Sequence, residues 1–170
     1  MKHSLRIAIL LISVGTTGGL LASGGEHEGD KRLPPVANDK WRAECGACHM
    51  AYHPGLLPER SWRKLMGGLG KHFGENASLD AATAAGITRF LTDNAADHST
   101  NRRSDKVAAS ISSHAMPLRI TETAYFLGKH DELDAGVFRR PKIGSAANCA
   151  ACHHTAERGD FSERNVRIPR

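Results

Sequence analysis

The chain has 170 residues, a length that suits one medium domain or two small ones. It carries 23 Lys and Arg against 18 Asp and Glu, a formal net charge of +5. The basic residues are not interleaved with aromatic ones as in a nucleic-acid groove, so the composition argues against a nucleic-acid partner. Aromatic residues make up 5% of the chain, which is thin for two hydrophobic cores built from side chains alone.

The first 24 residues have the pattern of an export signal. A basic start is followed by an apolar run over residues 7–14 and by small residues up to Gly25. The run is much shorter than the roughly 20 residues that a membrane-spanning helix needs. We predict a signal peptide over residues 1–24, cut near Ala22 or just after Gly24. The mature chain is then exported, periplasmic and without a transmembrane segment.

The first chemically distinctive stretch is a Cys-x-x-Cys-His motif formed by Cys45, Cys48 and His49. The three residues can project from one face of a helix. This spacing is the attachment pattern of c-type haem, in which both cysteines bind the porphyrin and the histidine binds its iron. We therefore predict a first covalent haem here, with His49 as proximal ligand.

A second helix is predicted after the motif. Pro58 suits its first turn, where a missing N–H costs nothing. A stripe of apolar residues at helical spacing follows, before Gly74 ends the helix: Trp62, Leu65, Met66, Leu69 and Phe73. His72 shares this face, and a covalent haem must pack against it. We predict His72 as the distal ligand of the first iron, with Met66 as the alternative.

A third helix is predicted from a cap at Ser78, with Asp80 in its first turn. Its buried side is formed by Ile87, Phe90 and Leu91. Residues 93–113 are polar with little periodicity, and we place a domain boundary there. The prediction is an N-terminal domain of residues 25–97 and a C-terminal domain of residues 98–170.

The C-terminal domain is expected to contain a short helix within residues 119–133, capped by Thr121. Phe126, His130 and Leu133 lie on one face of it. We predict His130 as the distal ligand of a second iron, because a helix holds a ligand rigidly. The alternatives are His98 and His114, in loop-like segments, and the thioether of Met116.

A second Cys-x-x-Cys-His motif near the C-terminus, Cys149, Cys152 and His153, uses the remaining two of the four cysteines. A zinc site would bring its cysteine pairs within about 15–20 residues of each other, whereas these lie about a hundred apart. We predict a second covalent haem with His153 as proximal ligand. His154 points about 100° away round a helix and cannot bind the same iron.

No β alternation of any length occurs, so the predicted fold is mainly α, with two small haem-binding domains, the second built of short helices and loops. Each haem supplies apolar core that the side chains do not.

Longer strings resemble one family, the bacterial dihaem cytochromes c, often called DHC. They cover nearly all of the chain after the signal: CGACHMAYHPGLLPERSW, LGKHFGENASL, PLRITETAYF, RPKIGSAANCAACH and RGDFSERNVRIP. The resemblance implies an N-terminal domain like a class I cytochrome c and a C-terminal haem domain of unusual fold. It also implies low-potential, bis-histidine haems that relay electrons, with His72 and His130 as distal ligands. The partners implied are an oxygen-binding monohaem cytochrome and a membrane cytochrome b.

We therefore predict a periplasmic electron-transfer protein with two six-coordinate irons, not an enzyme. The alternative is a small dihaem enzyme of peroxidase type, in which one iron lacks or releases its distal ligand. No obvious acid–base residue lies beside either motif in the sequence, which favours the electron carrier.

Overall fold

The computed structural model describes residues 32–170. The predicted signal peptide, residues 1–24, and the first residues of the predicted N-terminal domain lie outside the described part. Residues 32–170 contain no β-strand, only two isolated bridges. They form α1 (Asp39–Gly46), α2 (Glu59–Met66), α3 (Ala81–Asp93), α4 (Arg102–Ala109), α5 (Ala124–Lys129), α6 (Ala135–Phe138) and α7 (Cys149–Cys152). The mainly α prediction is confirmed, and none of these helices is long and apolar enough to cross a membrane.

The main hydrophobic core lies where α1, α2 and α3 meet. Asn38 caps α1 by accepting a hydrogen bond from the Trp41 N–H at 2.8 Å, and the Trp41 indole packs on Phe90 with ring centroids 5.1 Å apart. The core is completed by buried side chains from all three helices and the turn before α2: Leu57, Trp62, Met66, Ile87, Leu91 and Ala95. This core supports the segment that carries the first motif.

Helix α2 is shorter than predicted. It begins after Pro58, as expected, but ends at Met66, where two glycines follow and the chain enters a 3-10 turn, Leu69–Lys71. Glycine is a poor helix former, and the Gly67 N–H closes the helix on the Arg63 carbonyl. The prediction that these glycines fall inside a helix is therefore wrong, and His72 lies on a turn.

Helix α3 begins two residues later than predicted. Its cap is Asp80, whose carboxylate accepts a hydrogen bond from the Thr83 N–H at 2.9 Å, whereas Ser78 lies outside the helix. The predicted buried side is correct, since Ile87 and Leu91 are almost fully enclosed and Phe90 packs on the core from one side.

Helix α4 lies in the polar segment for which no helix was predicted. Asn101 caps it by accepting from the N–H groups of Arg103 and Ser104. Its one deeply buried apolar side chain, Val107, packs with Ala96 and Ile111. Because Ala96 belongs to the stretch after α3, this segment is ordered and rests on the first half of the chain.

Helix α5 is capped by Thr123, not by Thr121. The Thr123 hydroxyl accepts a hydrogen bond from the Phe126 N–H at 3.2 Å, and a 3-10 turn, Ile120–Glu122, precedes it. The helix ends at Lys129, so His130 is its C-terminal cap and Leu133 lies beyond it. The predicted apolar face is therefore only partly helical.

The segment before α1 is fastened to the loop after α7. The buried Leu33 donates its N–H to the Gly159 carbonyl at 3.0 Å. A Cβ on Gly159, which has a φ of 71°, would lie 2.9 Å from the Leu33 Cβ. Next to this contact Arg32 binds the buried carboxylate of Asp160 at 2.8 Å. These contacts hold the two ends of the described chain together.

Candidate functional site

The first candidate site is built around His49, just beyond the end of α1. Because α1 ends at Gly46, only Cys45 lies on the helix, while Cys48 and His49 lie in the turn that follows it. The His49 Nδ1 is 2.8 Å from the Met50 carbonyl, which fixes Nδ1 as the hydrogen-bond donor. The other ring nitrogen, Nε2, is then the one with a lone pair for a metal.

His72 is presented by a tight turn. Its N–H and carbonyl both pair with Glu75, at 2.8 and 3.0 Å, across Phe73 and Gly74. Both central residues have positive φ, 52° and 104°, as in a type I′ turn. The left-handed conformation costs a bulky residue such as Phe73 on the order of 1 kcal/mol. The Arg119 guanidinium, 3.9 Å from the centre of the Phe73 ring, stabilises the turn by a cation–π contact.

The ring centroids of His49 and His72 lie 6.1 Å apart, with the two planes 26° apart. Two metal–imidazole bonds of about 2 Å, plus about 1 Å from each nitrogen to its ring centre, give a separation of about 6 Å. The spacing therefore fits one iron between the two imidazoles. Burial, together with the charges of His49 and Arg119, lowers the pKa of His72, which favours the neutral imidazole that binds metals.

The second candidate site has the same spacing with different ring orientation. His130 caps the end of α5 and its Nδ1 lies 2.9 Å from the Phe126 carbonyl, so Nε2 is again free to bind a metal. The ring stacks on Phe126 at 4.1 Å. Its centroid is 6.1 Å from that of His153, with the two planes 84° apart. This pair also fits a single iron.

His153 directly follows the single turn of α7 and packs edge-on against Phe161, with centroids 5.5 Å apart. Burial is the main reason that its pKa is lowered, with the charges of His130 and Arg103 adding to the effect and Asp160 opposing it. Its Nδ1 is buried without a hydrogen-bond partner in residues 32–170.

The four cysteines, two in each motif, form no disulfide within residues 32–170. In α7, Cys149 and Cys152 are three residues apart and so lie on one face of a helical turn. Burial raises the pKa of Cys149 to about 11 and that of Cys45 above its ordinary value, so both remain protonated thiols at neutral pH. These are the cysteine pairs that the Cys-x-x-Cys-His motif offers for covalent haem attachment.

A groove of roughly 650 Å³ opens beside the second motif. Apolar side chains and two arginines line it: Leu133, Val137, Arg140, Pro141, Ile168 and Arg170. Arg140 also acts on the thiol of Cys152, whose pKa its charge lowers against the larger effect of burial. A large flat apolar group with acidic substituents fits such a lining.

The other predicted ligands lie elsewhere. His98 is bound to Glu59, with its Nε2 3.0 Å from a carboxylate oxygen. Met66 is packed in the core of α1, α2 and α3, and both His114 and Met116 are exposed. The structure thus places His72 and His130 beside the proximal histidines, while these four residues have other surroundings.

Aromatic residues that were not predicted from the sequence surround the histidines. The Tyr52 ring stacks on His49 with centroids 4.9 Å apart and planes 26° apart. Its position three residues after His49 in the sequence could have indicated this contact. Phe161 and Phe138 flank the second pair, but nothing local in the sequence connects them with His153 or His130.

Two Cys-x-x-Cys-His motifs, each with a second histidine at iron-spanning distance from its own histidine, define a c-type cytochrome. The family model described as dihaem cytochrome c matches residues 41–161. The chain belongs to this family. It therefore carries two covalently bound c-type haems and serves electron transfer with redox partners.

Solved structures agree with this assignment. The chain is 46% identical to a diheme cytochrome c from Rhodobacter sphaeroides, with a TM-score of 0.67, covering 75% of this chain and 98% of that one. It is 41% identical to a diheme cytochrome c from Shewanella baltica OS155, with a TM-score of 0.63, covering 78% of this chain and 93% of that one. A comparison with curated protein sequences gave no match.

Proposed function

We propose that the chain is an exported, periplasmic electron relay in which each haem iron is held by two histidines. The observation that carries this proposal is the centroid distance of 6.1 Å in both histidine pairs. The proposed ligand pairs are His49 with His72 and His153 with His130, and the proposed thioether residues are Cys45, Cys48, Cys149 and Cys152.

Haem iron supplies reversible one-electron exchange between its ferric and ferrous states. The chain would contribute two imidazoles to each iron, from His49 and His72 at the first site and from His153 and His130 at the second, and would leave no position for a substrate. Two nitrogen ligands without a methionine sulfur favour a low reduction potential. The hydrogen bonds from the Nδ1 atoms of His49 and His130 to backbone carbonyls fix the ring orientations and raise the basicity of the ligands.

The proposed organisation keeps the division into residues 25–97 and residues 98–170, one haem in each. The basic start and short apolar run of residues 1–24 support export to the periplasm. The resemblance to the DHC family supports two partners, an oxygen-binding monohaem cytochrome and a membrane cytochrome b. In this arrangement one partner donates an electron to one haem and another removes it from the other haem.

Carbon monoxide distinguishes this relay from a peroxidase-type enzyme. We expect the fully reduced protein to give the same absorption spectrum with and without carbon monoxide, because histidine occupies both axial positions of each iron. The measurement is a difference spectrum of the reduced protein under the gas. Binding at either haem of the unmodified protein would contradict the proposal.

Two variants make this experiment decisive. His130→Ala removes a proposed ligand and should create carbon monoxide binding at about one haem per chain, which shows that the assay detects an open iron. His98→Ala removes a histidine that is bound to Glu59, and it should stay silent like the unmodified protein.

A further inference from the structure

We propose that Tyr52 is a positioning residue that couples the two haem sites, holding His49 through its ring and the second Cys-x-x-Cys-His motif through its hydroxyl. The inference rests on the electron-relay function and adds to it the residue through which the two sites are connected. Tyr52 would set the rate at which an electron passes between them.

Tyr52 contacts His49 through its aromatic ring. The two rings are nearly parallel, with centroids 4.9 Å apart and planes 26° apart, which is an offset-stacked arrangement. The Tyr52 ring also packs against the core of α1, α2 and α3. The proximal imidazole is therefore held by the Met50 carbonyl at its edge and by the Tyr52 ring on its face.

Tyr52 also forms a hydrogen bond to a residue 95 positions further along the chain. The Tyr52 hydroxyl donates to the Ala147 carbonyl at 2.7 Å. The same carbonyl accepts the Cys149 N–H at 2.9 Å and lies 3.6 Å from the Cys149 sulfur. One oxygen thus joins Tyr52 to a cysteine that we propose as an attachment point of the second haem. The link runs from the ligand of one iron to the thioether of the other porphyrin.

The hydroxyl keeps its proton while it does this. The Tyr52 hydroxyl is the donor of its hydrogen bond to the Ala147 carbonyl, so it must carry its proton. An electron that crosses leaves one iron ferric and makes the other ferrous, whereas Tyr52 is neither oxidised nor deprotonated. Its role is to hold the two sites in a fixed relative position and to connect them through its two contacts.

Three variants of the holoprotein test the inference. Tyr52→Phe keeps the ring and loses the hydroxyl, and Tyr52→Leu loses both contacts. Tyr125→Phe is the matched control, because it removes a hydroxyl that accepts from Arg103 at 2.9 Å within the C-terminal half. The measurement is the rate of electron exchange between the haems in half-reduced protein, obtained from NMR exchange of the haem methyl resonances.

We expect exchange to be several-fold slower in Tyr52→Phe and slower still in Tyr52→Leu, with Tyr125→Phe equal to the unmodified protein. A change in the EPR g-values of the first iron should accompany Tyr52→Leu only, since the stacked ring orients His49. Both Tyr52 variants exchanging at the unmodified rate with full haem content would overturn the inference. An unmodified protein that exchanges no electrons between its haems would instead overturn the relay function itself.

Discussion

Replacing His72 by methionine should raise the reduction potential of the first haem and leave that of the second nearly unchanged. A thioether sulfur stabilises ferrous iron relative to an imidazole nitrogen, and axial ligands control a span of roughly 0.8 V in haem proteins. We expect a shift that is a substantial part of that span. The measurement is a spectroelectrochemical titration, in which the step of the first haem should move to higher potential while that of the second stays in place.

Two further variants define what this result means. Met66→Leu removes the other side chain considered as a ligand, but Met66 lies in the core of α1, α2 and α3, so both potentials should stay as they are. His130→Met should raise the second potential alone. Unchanged spectra and potentials in His72→Met would show that His72 is not an iron ligand.

Replacing Asp160 by alanine should lower the free energy of unfolding by about 3 kcal/mol, because it removes a buried carboxylate on which several hydrogen bonds converge. The Asp160 side chain is 3% exposed. Its carboxylate accepts hydrogen bonds from Arg32, Asn165, and both the N–H and hydroxyl of Ser162. Its loss leaves these donors unpaired and loosens the contact between the two ends of the described chain. Denaturant unfolding of the holoprotein measures the effect.

An exposed aspartate provides the control. Asp39 faces solvent completely and lies 3.7 Å from Arg42, so Asp39→Ala should cost less than about 1 kcal/mol. Hydrogen bonds from Ser162 and the charge of Arg32 hold the pKa of Asp160 below its ordinary value of 3.8. Its stabilising effect is therefore complete above that value and is lost as the pH falls through the lower folded pKa. An equal loss of unfolding free energy in the two variants at neutral pH would contradict the stabilising role given to the buried Asp160 carboxylate.

Patterns with a clear local cause could be read from the sequence. The buried side of α3 follows from helical spacing, and the haem motifs follow from the order of cysteine and histidine. Helix α4 was not predicted because it has only one deeply buried apolar residue, Val107, and so no apolar periodicity. Its stability depends on the Asn101 cap and on packing against Ala96, which are visible only in the folded chain.

The candidate site likewise combines features that a local sequence pattern predicts with features that only the folded chain shows. The sequence placed His72 on a helix, because Leu65 and Leu69 suggested one continuous stripe. The glycines after Met66 end that helix, and a left-handed turn carries the histidine instead. The contact between Tyr52 and Ala147 joins positions that no local pattern relates. It arises from how the two halves pack, which depends on groups as large as the haems.

Low-temperature EPR of the oxidised protein tests the central proposal most directly, since it counts each type of ferric iron. We predict two low-spin bis-histidine signals of equal intensity and no high-spin signal. The signals should differ, because the rings of His49 and His72 are 26° from parallel whereas those of His130 and His153 are 84° apart. Nearly perpendicular imidazoles leave two iron d orbitals closer in energy, so the second iron should have the larger maximum g-value. A high-spin signal, or one of histidine–methionine type, would contradict the bis-histidine relay.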